Sequence, residues 1–292
     1  MNYKDEEDDK EENNEEEEEE EEEEDSDEES WEDEVFAEEE PGENETEDEA
    51  SLRLLIVLLD DRNDKERANA VEAIADYATQ GITDKNALPK LVKMLDDKYE
   101  DARLNAALAL SNYAGQGLTD PSALPKIVKM LNDDPEVVVF AVTALAAYAN
   151  AGLTDKSTLP KFVQLLDDDE IRMFALTALA AYASKGLPDK TALPKLTPLL
   201  DDSDEGIRMY TLATIGAYAQ AGATDKTILP KIVELLEDGY VCTQASETLG
   251  KYAEKGLTDK NAVPKLKELL KDEEYHDKAQ NALDKYAEKG LK

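Results

Sequence analysis

Seven Tyr-Ala pairs, beginning at Tyr77, Tyr113, Tyr148, Tyr182, Tyr218, Tyr252 and Tyr286, recur at intervals of 36, 35, 34, 36, 34 and 34 residues. A fixed period near 35 residues marks a solenoid, in which each unit stacks on its neighbours because none can bury its apolar face alone. Four residues after each tyrosine stands a glycine, from Gly81 to Gly290, suited to a left-handed helix C-cap. Thr-Asp-Lys or a variant of it then supplies N-capping oxygens for the next helix.

Each unit therefore reads as two helices. The first has the pattern Leu-Pro-Lys-Leu-Val-x-x-Leu-Leu, with Pro89, Pro125, Pro160, Pro194, Pro230 and Pro264 near its start, where a missing N–H costs little. It ends at an aspartate present in all seven units: Asp61, Asp97, Asp133, Asp168, Asp202, Asp238 and Asp272. The second carries small or apolar residues seven, four and three positions before the tyrosine, as in Ala141, Ala144, Leu145 and Tyr148. That is one face of a 3.6-residue helix. Alanines at Ala70, Ala106, Ala175 and Ala245 let helices approach closely. The expected fold is all-α, a right-handed α-solenoid of seven two-helix repeats. The units run 51–86, 87–122, 123–157, 158–191, 192–227, 228–261 and 262–292.

Ahead of the repeats, residues 1–50 contain 32 acidic residues against Lys4 and Lys10. Such a segment cannot bury enough apolar surface to offset its chain entropy, so a disordered acidic tail is expected. Within it, Trp31 and Phe36 sit among carboxylates, either as anchors for a basic partner or as a contact with the first repeat. Ser26 and Ser30, followed closely by acids, have the look of acidophilic kinase sites. With a net charge of −39, direct nucleic-acid binding is not expected, since that needs a basic stripe. No signal peptide and no run of roughly 20 apolar residues is evident, so no membrane partner is expected. The single cysteine allows no internal disulfide. An intracellular, soluble protein is the default, with cytoplasm and nucleus not resolved.

The repeats resemble HEAT repeats, within the broader armadillo-like class, and especially the short HEAT-like type first noted in phycobilisome lyases. The proline and aspartate given above match that pattern, as do arginines ten residues before the tyrosine at Arg67, Arg103, Arg172 and Arg208. The resemblance implies a ladder of hydrogen bonds between these arginines and the aspartates of neighbouring units. Val138, Cys242 and His276 occupy the slot in the other three units, so a weaker ladder is expected there. The resemblance also implies a scaffold rather than an activity.

No enzyme, metal site or cofactor is expected. His276 and Cys242 lie in different repeats without partners for a triad or a metal set. Pairs such as Asp60-Asp61 recur at the turn between helices, which points to capping. No Gly-rich phosphate loop or nucleophile elbow is present. Binding information should then lie where the repeats differ. Positions nine and five before the tyrosine, opposite the core face, read Leu104 and Leu108, then Val139, Met173 and Met209. The resemblance places second helices on the concave surface, so these residues form a partner-binding strip unless tight curvature buries them. Phe140, Phe174 and Tyr210 reach the groove or pack on the adjacent repeat. Lysines after the proline, Lys90, Lys126, Lys161, Lys195, Lys231 and Lys265, read as a solvated convex ridge. The function expected is a protein–protein interaction scaffold holding a peptide or helix in its groove. A chaperone for histones or other basic proteins acting through the tail is the alternative, and a lyase-type or tetrapyrrole-binding protein, by family analogy, a distant one. The oligomeric state is left open.

Overall fold

The computed structural model describes residues 46–291, and these form fourteen α-helices in seven antiparallel pairs. Odd-numbered helices are the first of each pair: α1 (Glu47–Leu58), α3 (Leu88–Met94), α5 (Leu124–Met130), α7 (Leu159–Leu165), α9 (Leu193–Leu199), α11 (Leu229–Glu234) and α13 (Ala262–Leu269). Even-numbered helices are the second: α2 (Asp64–Thr79), α4 (Glu100–Gly115), α6 (Pro135–Asn150), α8 (Arg172–Ser184), α10 (Glu205–Gln220), α12 (Cys242–Glu254) and α14 (His276–Glu288). Each second helix packs on the next second helix and on its own first helix, so one continuous core runs the length of the array.

Local chemistry sets the boundaries. After α4, Gly117 takes φ +80, while Leu118 N–H bonds back to Tyr113 C=O and Gly117 N–H to Ala114 C=O. This is a Schellman cap, and Gly152 (φ +95) closes α6 in the same way. Asp120 then accepts from Ser122 N–H to cap a short 3₁₀ turn, Pro121–Ala123, that leads into α5. Asp84, Asp155, Asp189 and Asp225 cap equivalent turns.

The uneven period has a structural cause. Second helices α2, α4, α6 and α10 are 16 residues long, whereas α8, α12 and α14 are 13. The shorter three are preceded by Ile171, Val241 and Tyr275. The first two of these are buried, so an apolar side chain stands where the longer helices begin with an extended N-cap.

The recurrent tyrosine has a role beyond filling space. Tyr113, Tyr148, Tyr182, Tyr218, Tyr252 and Tyr286 are fully buried, and the hydroxyls of Tyr113, Tyr182 and Tyr286 accept from the backbone N–H of Asp84, Asp155 and Asp259 in the preceding unit, at 3.3, 3.3 and 3.4 Å. These three therefore clamp the capping loop of the unit before, whereas the buried hydroxyls of Tyr148, Tyr218 and Tyr252 make no hydrogen bond. Tyr77 has no described unit before it and is half-buried.

Helix α1 corrects the expected tail boundary. It begins inside residues 1–50, where Thr46 and Glu49 form a capping box: Thr46 Oγ1 accepts from Glu49 N–H, and Glu49 accepts from Thr46 N–H at 2.9 Å. The remaining expectations for the tail, including disorder, Ser26 and Ser30, and anchoring through Trp31 and Phe36, concern residues outside the described ones.

Candidate binding surface

Two charge ladders fix how neighbouring units meet, and so how their variable faces line up. In the first, an arginine near the start of a second helix reaches the aspartate of the following unit. Arg67 does this with both Nε and Nη2 at 2.8 Å from the Asp97 carboxylate, while its Nη1 donates to Asp61 C=O. Arg103 reaches Asp133 at 3.2 Å, Arg172 reaches Asp202 at 3.4 Å, and Arg208 reaches Asp238 at 2.8 Å. Burial alone would raise the Asp97 carboxyl, but the Arg67 guanidinium and the Tyr99 amide outweigh it and hold it below the usual carboxylate range. Val138 and Cys242 interrupt the ladder. The facing aspartates, Asp168 and Asp272, keep the backbone N–H bonds from Glu170 and Glu274, the same bonds that Asp97, Asp202 and Asp238 receive beside their arginines.

The second ladder corrects the expectation of a solvated lysine ridge. Lys90, Lys126, Lys195 and Lys265 are half-buried. Their Nζ atoms donate to Ile56, Val92, Val163 and Val233 C=O at 2.8, 2.8, 3.0 and 3.2 Å. Those carbonyls lie in the last turn of the preceding first helix, where C=O groups lack an intrahelical partner and the helix dipole is negative. Each lysine is thus a C-cap delivered from the next unit. It also pairs with an acid there: Lys90 with Asp60, Lys126 with Asp96, Lys195 with Asp167, Lys231 with Asp201 and Lys265 with Glu237. The hydrogen bonds from Lys93 and Lys126 respectively lead in holding Asp60 and Asp96 below the usual carboxylate range. Repetition was the available signal, since a merely solvated charge has no reason to recur at one slot in six units. In unit one that slot is Leu54, half-buried, and Val57 nearby is exposed. Lys161 is the exception among the six: Asn132 stands in the slot that an acid fills elsewhere, and Lys161 makes no ion pair among the described residues.

The outward face of the second helices holds the residues of the expected strip, unequally exposed. Leu104, Leu108 and Val139 are half-buried, while Met173 and Met209 are exposed at 38% and 41%. Positions two before the tyrosine are closed in most units, as at Ser111, Ala146, Gly216 and Gly250. A Cβ on Gly216 would come within 3.2 Å of Thr248 Oγ1, so α10 and α12 approach closely at this glycine. Phe140, Phe174 and Tyr210 are half-buried and packed against the core. Tyr210 also opens onto a recess of about 330 Å³ lined by Thr177, Ala180 and Ala213, and Leu104 lines a second recess of about 330 Å³ with Ala68, Glu72 and Asn105. The row is therefore a grooved surface with an apolar middle.

The two residues best suited to chemistry are poorly placed for it. Cys242 is buried and its burial pushes the thiol up, away from the thiolate form. His276 is exposed, with Nδ1 3.2 Å from Asp277. No three His, Cys, Asp or Glu side chains gather in a metal-binding arrangement among the described residues. No described helix is long and apolar enough to cross a membrane.

Comparison with known proteins agrees with this architecture. Residues 52–147 match the family model for HEAT repeats. No curated protein matches the chain. A solved engineered protein from a structural genomics consortium is 24% identical over 82% of this chain and 69% of its own, with a TM-score of 0.57. Kap121p is 15% identical over 82% of this chain, with a TM-score of 0.58, and the chain covers 29% of Kap121p. Kap121p bound to Pho4p aligns with the same coverage and a TM-score of 0.57. At these identities the likeness is one of fold.

Proposed function

We propose that the chain, whose residues 52–147 match the HEAT-repeat family model, is a non-catalytic scaffold that holds a partner protein on the concave face formed by its second helices. The observation that carries this reading is the open apolar row centred on Met173 and Met209, flanked by Leu104, Leu108, Val139 and the aromatic residues Phe140, Phe174 and Tyr210. Exposed methionines adapt to varied apolar partners, and a contiguous exposed apolar patch on a folded surface marks an interaction site. Kap121p, which shares the fold, has been solved with Pho4p bound.

The test compares three forms of the protein for partner capture by cross-linking and mass spectrometry: the full chain, the Met173→Glu/Met209→Glu variant, and a chain lacking residues 1–45. The truncation must stop before Thr46, because a cut at residue 50 would remove the capping box of α1. The strip variant should lose its partners while keeping its helicity, and the truncated chain should keep them. Unchanged capture by the strip variant would overturn the reading. The density of acid in residues 1–50 supports a second reading, capture of histones or other highly basic proteins by the tail. Loss of basic partners only on truncation would favour it.

A further inference from the structure

The apolar row is edged on one side by exposed carboxylates that form no salt bridge among the described residues. One turn ahead of each groove residue stands an exposed acid: Asp101 before Leu104, Glu136 before Val139, Glu170 before Met173 and Glu205 before Met209. Residues three or four apart share a helix face, and Asp101 and Leu104 line the same recess, which Lys65 also lines. Glu170 sits in the turn just ahead of α8. None of the four joins a salt bridge among the described residues, because the nearby Arg103, Arg172 and Arg208 are turned into the ladder. Acids in a first turn are partly offset by the positive end of the helix dipole, but that end amounts to only about half a charge. Most of the negative charge faces solvent. At the opposite edge, Gln116, Asn150, Ser184 and Gln220 are uncharged, and Lys185 is engaged with Asn150 C=O at 2.9 Å.

Spacing narrows the occupant. Packed helices lie about 8–10 Å apart, so Leu104, Val139, Met173 and Met209 recur at that interval along the row. Heptad positions of an α-helix are about 10.5 Å apart along its axis, close to the same interval. An extended strand shows one face every second residue, about 6.8 Å, and falls out of step. We propose that the row receives an amphipathic helix of a partner protein, laid across α4, α6, α8 and α10. Its apolar residues repeat at seven-residue spacing, and lysines or arginines run along the flank that meets Asp101, Glu136, Glu170 and Glu205. This rests on the concave-face reading above and names the class of partner.

The experiment titrates labelled synthetic helices of about 24 residues into the full chain and follows fluorescence anisotropy at several salt concentrations. One peptide has leucines at heptad spacing with a lysine flank, one has glutamates in place of the lysines, and one is a composition-matched scramble. The acidic N-terminal segment attracts any basic peptide, so the binding that counts is the part lost in the Met173→Glu/Met209→Glu chain. The lysine-flanked heptad peptide should lose about tenfold or more in affinity in that chain. It should lose about threefold, with a shallower salt dependence, in a Glu136→Gln/Glu205→Gln chain. Equal strip-dependent binding of scramble and heptad peptide overturns the proposal, as does unchanged binding after Glu136→Gln/Glu205→Gln. Capture that depends on the strip while no peptide does so removes the partner class and leaves the scaffold. Capture and peptides both indifferent to the strip remove both.

Discussion

The junction between the first and second units and the junction between the third and fourth are built from equivalent helices but held by different forces. At the first, Arg67 grips Asp97 and Lys90 caps α1 while pairing with Asp60. At the other, Val138 replaces the arginine and Asn132 the acid, so both ladders are missing at one place. What remains is apolar packing around Val138 and Phe162, the Tyr182 clamp on the Asp155 loop, and Lys185 on Asn150 C=O. Within unit four, Phe162 meets Tyr182 edge to face with ring centres 5.3 Å apart and so seats the tyrosine that reaches the Asp155 loop. One repeat can thus be joined to the next by directional charge or by shape, and the apolar strip crosses both kinds of junction, since Arg172 and Lys195 carry the two ladders between Met173 and Met209. Cys242 interrupts the arginine ladder again between units six and seven, but there Lys265 still reaches Glu237.

The comparison is broken most severely by removing shape where shape alone acts. Phe162→Ala should cost about 4 kcal/mol, read as a shift in urea midpoint, and increase amide exchange in α7 and α8 above that in α1 and α2. A uniform rise along the array would show that the third junction has no separate character. Arg67→Met should cost about 3 kcal/mol, because it strands a buried carboxylate at Asp97. Its exchange signature should be confined to α1, α2 and α3.

Proton titration distinguishes the two junctions without mutation. Asp60, Asp96 and Asp97 have lowered pKa values in the folded protein, so their stabilisation is present above the ordinary carboxylate value of about 4 and is lost as pH falls below it. Exchange in α1 and α3 should therefore rise in acid before exchange in α7 does. The buried core tyrosines behave oppositely. Burial pushes Tyr148, Tyr252 and Tyr286 up to about 12, so the stability they contribute is intact below the ordinary value of about 10 and is lost as pH rises towards 12. Absorbance of tyrosinate should show these groups ionising together with loss of helicity. The smallest effect is expected from repair. Asn132→Asp gives Lys161 an acid and should change stability by no more than about 1 kcal/mol, while adding a salt dependence that the third junction lacks.

Much of the fold is legible in the chain because its signals are local. Gly117 and Gly152 announce their caps, Asp120 announces the turn after the first of them, and Tyr113 announces a core position, each through the conformation or burial its own side chain prefers. The lysines were misread for the converse reason. Nothing within six residues of Lys126 reveals that Val92 C=O and Asp96 wait for it, since those atoms belong to a helix one unit away. The strip was legible as a pattern of angles, but not in its exposure. Met173 and Met209 stand open whereas Leu104 and Val139 are half-covered, and that depends on how far each second helix leans on the next.

The sequence by itself determined the period, the caps, the helix pairs and the residues that face inward, because these follow from backbone preference and the 3.6-residue repeat of an α-helix. Only the tertiary structure decided which charged groups join neighbouring units, where both ladders fail together, and which apolar side chains remain open to a partner. Those features arise from the register between helices that are some thirty-five residues apart in the chain, and register is set by packing, to which no single segment holds the key.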